Sequence, residues 1–267
     1  MSDVAGLASH LDGLGRVLLG YSGGVDSALL AVVGARALGP DRFLAVLGVS
    51  ASVPAEQRAA ATELASRFSV PLLEIATYEL QDPRYAANPV DRCYFCKTEL
   101  WDRLGAIAAA RGFTTVIDGS HADDAGDHRP GARAASERAI RSPLAELGWR
   151  KADIRRVARE LDLPVWDAPA APCLASRIRY GLEVTSDRLL QVERGEAWLR
   201  SLGVTGDLRV RHHGDTARIE VEPRWFATLD AEWSDVEREF LSLGFSQVVR
   251  DTRGYRRGSL LAIVEPA

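Results

Sequence analysis

Leu18-Leu19-Gly20-Tyr21-Ser22-Gly23-Gly24-Val25-Asp26-Ser27 joins an apolar run to a polar, glycine-rich turn, and a second apolar run follows at once. Arg16 to Gly20 reads as a short buried strand, and Asp26 to Leu38 as a helix with apolar residues on most of its faces. A turn between a strand and a helix directs backbone N–H groups and the positive end of the helix at one point, where an anion fits. Glycine lets the backbone approach such a ligand closely, Ser22 and Ser27 offer hydroxyls, and Asp26 offers a carboxylate suited to magnesium. No lysine follows the glycines, so this is not a Walker A loop; a plain serine-capped turn is the alternative.

The alternation continues outward. Phe43 to Val49 and Val70 to Ala76 read as strands, Pro54 to Phe68 and Cys96 to Arg111 as helices, and Thr114 to Asp118 as a fourth strand. This spacing predicts an α/β fold, a parallel sheet with helices on both faces and ligands at the carboxyl ends of its strands. Lys151 to Leu161 reads as a further helix, and Asp167 to Arg177 (DAPAAPCLASR) breaks the rhythm with two prolines. That loop marks a junction, with one domain over 1–168 and a second over 169–267. In the second, Thr185 or Ser186 caps a helix running to Leu202, and Arg209 to Val221 alternates as a hairpin around His213-Gly214-Asp215. Trp225 to Leu243 reads as a helix and Gln247 to Val264 as strands around Arg253-Gly254, which completes a small α+β domain.

The 267 residues, 46% hydrophobic and 26% charged, supply the core of two modest domains. A formal net charge of -4 argues against a general nucleic-acid binder, which needs a surplus of Lys and Arg on one surface. No window approaches the ~20 apolar residues of a membrane span, and the start, MSDVAGLASHLDGLG, lacks a basic segment before an apolar core. A cytoplasmic protein is expected. Three cysteines, Cys93, Cys96 and Cys173, are an odd count for a disulfide framework. Cys173 follows a proline and stands close in sequence to Arg177 and Arg179, which favours an exposed thiol with a stabilised thiolate; a buried small hydrophobe is the alternative. Arg209 and Arg211 alternate on one strand face, where two guanidiniums can clamp a phosphate and a carboxylate; a solvated face is the alternative. His212 and His213 are adjacent on a strand, point to opposite faces and cannot chelate one ion together. Cys93-Tyr94-Phe95-Cys96 is a lone C-x-x-C, with no second pair to complete a four-cysteine zinc site.

Ser-Gly-Gly-x-Asp-Ser after the first strand resembles the signature of the PP-loop ATP pyrophosphatases. The resemblance covers the chain from its start to about residue 165. It implies ATP and Mg2+, with Ser22, Gly23, Gly24, Val25, Asp26 and Ser27 holding pyrophosphate and Asp26 the metal, while AMP is transferred to a substrate oxygen. Adenylation turns a poor leaving group, a carboxylate or amide oxygen, into a good one. The superfamily includes amide-forming synthetases and tRNA sulfur transferases, so the second half-reaction must be read from other residues.

PAAPCLASRIRYGLEVT from Pro169 and RVRHHGDTARIEVE from Arg209 carry a further match, together with Gly119-Ser120-His121-Ala122-Asp123-Asp124, Asp127-His128-Arg129-Pro130-Gly131 and Arg141-Ser142-Pro143-Leu144. From the glycine loop to Glu222 the chain resembles the LarE family of ATP-dependent sacrificial sulfur transferases, which act in nickel-pincer nucleotide synthesis. The resemblance implies a small nucleotide substrate, pyridinium-3,5-biscarboxylic acid mononucleotide, whose adenylated carboxylate is attacked by Cys173. Breaking the Cβ–S bond of the resulting thioester leaves a thiocarboxylate and dehydroalanine, so one chain delivers one sulfur. The resemblance also implies Ser176 and Arg177 in the active loop and Arg209 and Arg211 at the substrate phosphate. It places Glu220 and Glu196 as acidic residues near an intersubunit metal or the active site, in a homo-oligomer, hexameric in the family. Two rivals stay open. Three cysteines can hold a [4Fe-4S] cluster carrying an extra sulfide, as in certain PP-loop tRNA thiolases, and an ammonia-using amidating synthetase needs no cysteine at 173.

Overall fold

The structure is a computed structural model that describes residues 3–124, 130–169 and 172–256. The chain divides into two compact units, Met1–Glu79 with Asp91–Ala171, and Leu80–Val90 with Pro172–Ala267.

In the first unit, helix α1 (Val4–Asp12) leads into β1 (Val17–Gly20), α2 (Val25–Leu38), β2 (Phe43–Val49), α3 (Ala55–Arg67) and β3 (Leu72–Ala76). After the short helix α4 (Pro83–Ala86), which groups with the second unit, come α5 (Arg92–Arg111), β4 (Thr115–Ile117), α6 (Pro130–Ser136), α7 (Pro143–Glu146) and α8 (Lys151–Glu160). The strands form one parallel sheet in the order β3-β2-β1-β4. Side chains alternate between the faces of a strand, and here both sets find apolar cover. Val17, Leu19, Phe43, Ala45 and Leu47 pack with residues of α1, α2 and α8, whereas Leu18, Leu44 and Val46 pack with Trp101, Leu104 and Ala108 of α5. Two buried faces explain why these strands read as unbroken apolar runs. Each fully buried Leu, Val or Phe among them stabilises the fold by about 1.5–3 kcal/mol. This is the parallel α/β architecture that the sequence pattern predicts.

Some boundaries differ from expectation. Helix α5 begins at Arg92, a turn before Cys96, because the Asp91 carbonyl already accepts from Tyr94 N–H at 2.8 Å; Cys93 and Cys96 therefore both lie inside its first two turns. Helix α1 is additional: Asp3 caps it by accepting from Gly6 N–H at 2.7 Å, and Leu7 and Leu11, one turn apart, bury its inner face.

The chain runs outward from β1 through β2 to β3 and returns to β4 on the far side of β1. Such a reversal opens a crevice at the carboxyl ends of β1 and β4. The loops after β1 and β4 meet there: a Cβ on Gly119 would lie 3.1 Å from Ser27 N and 3.3 Å from Asp26 Cβ.

The second unit contains α4, a 3-10 turn at Leu174–Arg177, α9 (Ser186–Ser201), β5 (Leu208–His212), β6 (Thr216–Val221), α10 (Phe226–Ala231), α11 (Trp233–Ser242) and β7 (Gln247–Arg250). Strands β5 and β6 form the expected hairpin, turning through Gly214 at φ +82°, and β7 lies parallel to β6. One face of this sheet, with Leu208, Val210, Ala217 and Ile219, packs with Leu199, Leu229, Val236 and Phe240 of the helices. The other face carries Arg209 opposite Glu220 and Arg211 opposite Arg218.

The single helix expected over Trp225–Leu243 is two, broken at Glu232, whose N–H closes α10 on Thr228 O while its carbonyl opens α11 by accepting from Val236 N–H. Of the strands expected around Arg253-Gly254, β7 is present, but residues 251–256 make a turn in which Asp251 accepts from Arg253 N–H at 2.8 Å. The remainder of that stretch, 257–264, lies outside the described residues, as do Asp127, His128, Arg129, Ala170 and Ala171. Among the described residues no helix is long and apolar enough to cross a membrane.

Candidate active site

In the first unit the glycine loop is shaped by close contacts. Tyr21 is buried and donates its O–H to Ala61 O at 3.0 Å, and burial pushes its phenol pKa upward. Gly23 is required twice: its φ is +78°, and a Cβ there would lie 2.6 Å from the Cβ of Ala61. Gly24 is the N-cap of α2 and carries no side-chain cap, so the first-turn N–H groups, which have no partners within a helix, are left for a ligand. Ser27 closes the loop, accepting from Ser22 N–H at 3.2 Å and donating to Gly24 O at 3.1 Å, and Gln57 Nε2 donates to Ser22 O at 3.0 Å.

The cation that a Walker A loop carries in its own sequence arrives here from elsewhere. Lys151 Nζ, at the first residue of α8, lies 2.6 and 2.7 Å from the two carboxylate oxygens of Asp26. Its backbone is fixed as well, since Lys151 N–H donates to Asp123 Oδ2 at 2.8 Å. Lys151 does not emerge from sequence reading because 125 positions separate it from Asp26. The only local signal is its place at a helix start.

The second unit gathers a buried charged cluster around the cysteine turn. Arg177 is 4% exposed. Its guanidinium donates to the carbonyls of Pro172 and Cys173 and to Ser176 Oγ, and grips Glu196 bidentately at 2.9 and 3.1 Å. Glu196, on α9, also accepts from Val210 N–H at 3.1 Å, which ties it to β5. Arg211 pairs with Glu220 at 2.9 Å and donates to Ser176 O at 3.1 Å. Arg209 lies over the Tyr255 ring, 5.2 Å from its centroid. Burial first, and then the charge of Arg177, pushes the Arg209 pKa down. Three guanidiniums and two carboxylates thus share this buried region, a formal excess of one positive charge suited to an anion. The solvated-face alternative for Arg209 and Arg211 does not hold: each is 6% exposed.

His212 lies on the apolar face, its ring centroid 4.9 Å from that of Phe245 and its Nε2 2.8 Å from Gln191 Oε1. Burial, then the charge of Arg188, pushes its pKa from 6.5 to about 4. A folded state holding this imidazole neutral is favoured fully above the unfolded pKa of 6.5 and loses that advantage as pH falls from 6.5 to about 4. His212→Gln is expected to flatten the stability curve in that window, measured by urea unfolding; an unchanged slope would contradict the assignment.

Cys173 is partly exposed and lies in the second unit, while Cys93, exposed, and Cys96, partly exposed, open α5 in the first. Among the described residues no group of three or more His, Cys, Asp or Glu side chains gathers as for a metal ion.

The strand order and the glycine loop between β1 and α2 are consistent with a PP-loop fold, and the family described as NAD synthase matches residues 8–88. Over 256 residues, 96% of this chain and 92% of the other, it is 36% identical to the pyridinium-3,5-bisthiocarboxylic acid mononucleotide synthase of Lactiplantibacillus plantarum. It is 42% identical over 261 residues, 97% of each chain, to an uncharacterized protein of Synechocystis. An uncharacterized protein of Methanocaldococcus jannaschii is 28% identical over 241 residues, 90% of this chain and 91% of the other. The chain belongs to the LarE family within the PP-loop superfamily.

Proposed function

We propose that the protein activates a carboxylate of pyridinium-3,5-biscarboxylic acid mononucleotide with ATP and replaces its oxygen with sulfur drawn from Cys173. The observation that carries this reading is Arg177, one buried guanidinium that binds the Cys173 carbonyl and Glu196 at once. It ties a thiol-bearing turn to a strand whose Arg209 and Arg211 are buried and rich in positive charge. Similarity to the pyridinium-3,5-bisthiocarboxylic acid mononucleotide synthase of L. plantarum supports the substrate class.

In this reading a substrate carboxylate oxygen attacks the α-phosphorus of ATP, the Pα–O–Pβ bond breaks, and pyrophosphate is held by the first-turn N–H groups of α2, Ser22 and Ser27. Asp26 would hold magnesium once Lys151 turned from that carboxylate to a phosphate oxygen. One carboxylate with phosphate oxygens and water is an ordinary magnesium set, and such an ion would neutralise phosphate charge. The Cys173 thiolate then adds to the acyl carbon, and AMP departs with the bonding pair, leaving a thioester. A base removes the Cα proton of Cys173, its electron pair becomes Cα=Cβ, and the Cβ–S pair leaves on sulfur as a thiocarboxylate. Dehydroalanine remains, so each chain serves once. Arg209 and Arg211 take the substrate phosphate and second carboxylate, an anion that relieves the unfavourable burial of Arg209. Assembly into the family's homo-oligomer is part of the same proposal.

ATP–pyrophosphate exchange tests the first step. Exchange is expected only when the pyridinium dicarboxylate nucleotide is present. Exchange that ignores this acid, or that yields an amide when ammonia is added, would sink the reading.

A further inference from the structure

Asn88 lies in the stretch Leu80–Val90, which interrupts the first unit in sequence yet groups with the second. It is fully buried and holds φ at +55°, in the left-handed region that Asn tolerates better than most side chains. Its Nδ2 donates toward three carbonyl oxygens, of Ile178 at 3.3 Å, Arg179 at 2.8 Å and Leu182 at 2.9 Å. The backbone joins in: Gly181 N–H donates to Asn88 O at 3.0 Å, and Val184 N–H to Ala86 O at 2.8 Å. One primary amide thus gathers the whole turn that follows Cys173, Ser176 and Arg177. A carboxylate or an aliphatic side chain in its place would leave these carbonyls, that of Ile178 buried and the other two part-buried, without this donor.

The cysteine loop has two sets of anchors. On its N-terminal side the carbonyls of Pro172 and Cys173 are held by Arg177, and that of Ser176 by Arg211, a guanidinium on which a substrate anion would also draw. On its C-terminal side the anchors are the neutral amide of Asn88 and a backbone bond from Arg179 N–H to His212 O at 3.1 Å. Charge-assisted bonds to an arriving phosphate or carboxylate are stronger than bonds to a carbonyl, so the Arg211 anchor would slacken when an anion binds. The neutral anchors do not.

We propose that Asn88 is a positioning residue for the sulfur-donor loop, holding Ile178–Leu182 so that Cys173 stays aligned with the adenylated carboxylate while the arginines are engaged by substrate. The proposal rests on the sulfur-transfer reading above. Asn88→Gly keeps the left-handed backbone and removes the amide; Asn88→Ser keeps one short donor. In Asn88→Gly the rate of mass loss at Cys173 is expected to fall about tenfold or more. The KM for the pyridinium nucleotide and the ATP–pyrophosphate exchange rate are expected to stay within about twofold of the parent. Asn88→Ser should fall between the two. A parental transfer rate, a parallel loss of exchange and transfer, or failure of both variants to fold overturns the proposal.

Alkylation by iodoacetamide, read by peptide mass, needs no substrate and tests the clamp apart from the sulfur-transfer reading. Cys173 should react about threefold faster or more in Asn88→Gly, with Cys93 and Cys96 reacting as in the parent. Unchanged Cys173 alkylation overturns the clamp. A parent that makes thiolated product without losing mass overturns the sulfur-transfer reading, and the alkylation result still decides the clamp.

Discussion

Cys173→Ala is expected to make no thiocarboxylate product while substrate-dependent ATP–pyrophosphate exchange stays within about twofold of the parent. The separation follows from where the two steps are housed. In the proposed reading adenylation falls to the glycine loop and Lys151, which pairs with Asp26 in the first unit, and the thiol acts only on the adenylate once it exists. The substitution disturbs little else. Arg177 holds the carbonyl of residue 173, not its side chain, and an alanine keeps that carbonyl. The side chain is partly exposed, so its loss opens no large cavity. Thiolated product from Cys173→Ala at the parental level would remove this cysteine from the chemistry, and amide formation with ammonia would point to a synthetase.

Gly23→Ala is expected to abolish the exchange itself, by about a hundredfold or more. Two independent strains act at this position. An alanine at φ +78° sits in a backbone region costly to L side chains, by about 1–2 kcal/mol. Its Cβ would also stand 2.6 Å from the Cβ of Ala61, well inside the ~3.5–4 Å of an ordinary carbon contact. Neither methyl can rotate away, so the loop or α3 must move, and the N–H groups to which the proposed function gives the phosphates move with it. Adding Ala61→Gly removes the 2.6 Å contact and leaves a tight 3.1 Å approach to the Cα of residue 61 together with the dihedral strain, so the double variant should recover part of the exchange. Exchange in Gly23→Ala within about threefold of the parent would contradict the role given to this loop.

What the sequence discloses follows a physical division. The apolar runs at Val17–Gly20 and Phe43–Val49 were readable because both sheet faces are buried, which leaves no polar residue to interrupt them. Arg209 and Arg211 were readable as a pair because a strand repeats every two residues. Their burial was not, since it depends on residues far away in the chain. The partners that complete each charged group are equally remote: Lys151 for Asp26, Glu196 for Arg177, and Asn88 for the turn after Arg177. No local periodicity encodes such pairings. The break at Glu232 and the early start of α5 are not legible in the sequence for a smaller reason, that backbone hydrogen bonds at helix ends leave a weak mark on composition.

The decisive measurement is the intact mass of the anaerobically purified protein before and after incubation with ATP, magnesium and the pyridinium dicarboxylate nucleotide, with iron and labile sulfide assayed on the same sample. Sacrificial transfer requires each reacting chain to lose the elements of hydrogen sulfide at Cys173, one thiocarboxylate to form per chain, and no iron to be bound. An unchanged mass accompanied by thiolated product and bound iron would contradict it, and would make Cys93, Cys96 and Cys173 ligands of a cluster that supplies the sulfur.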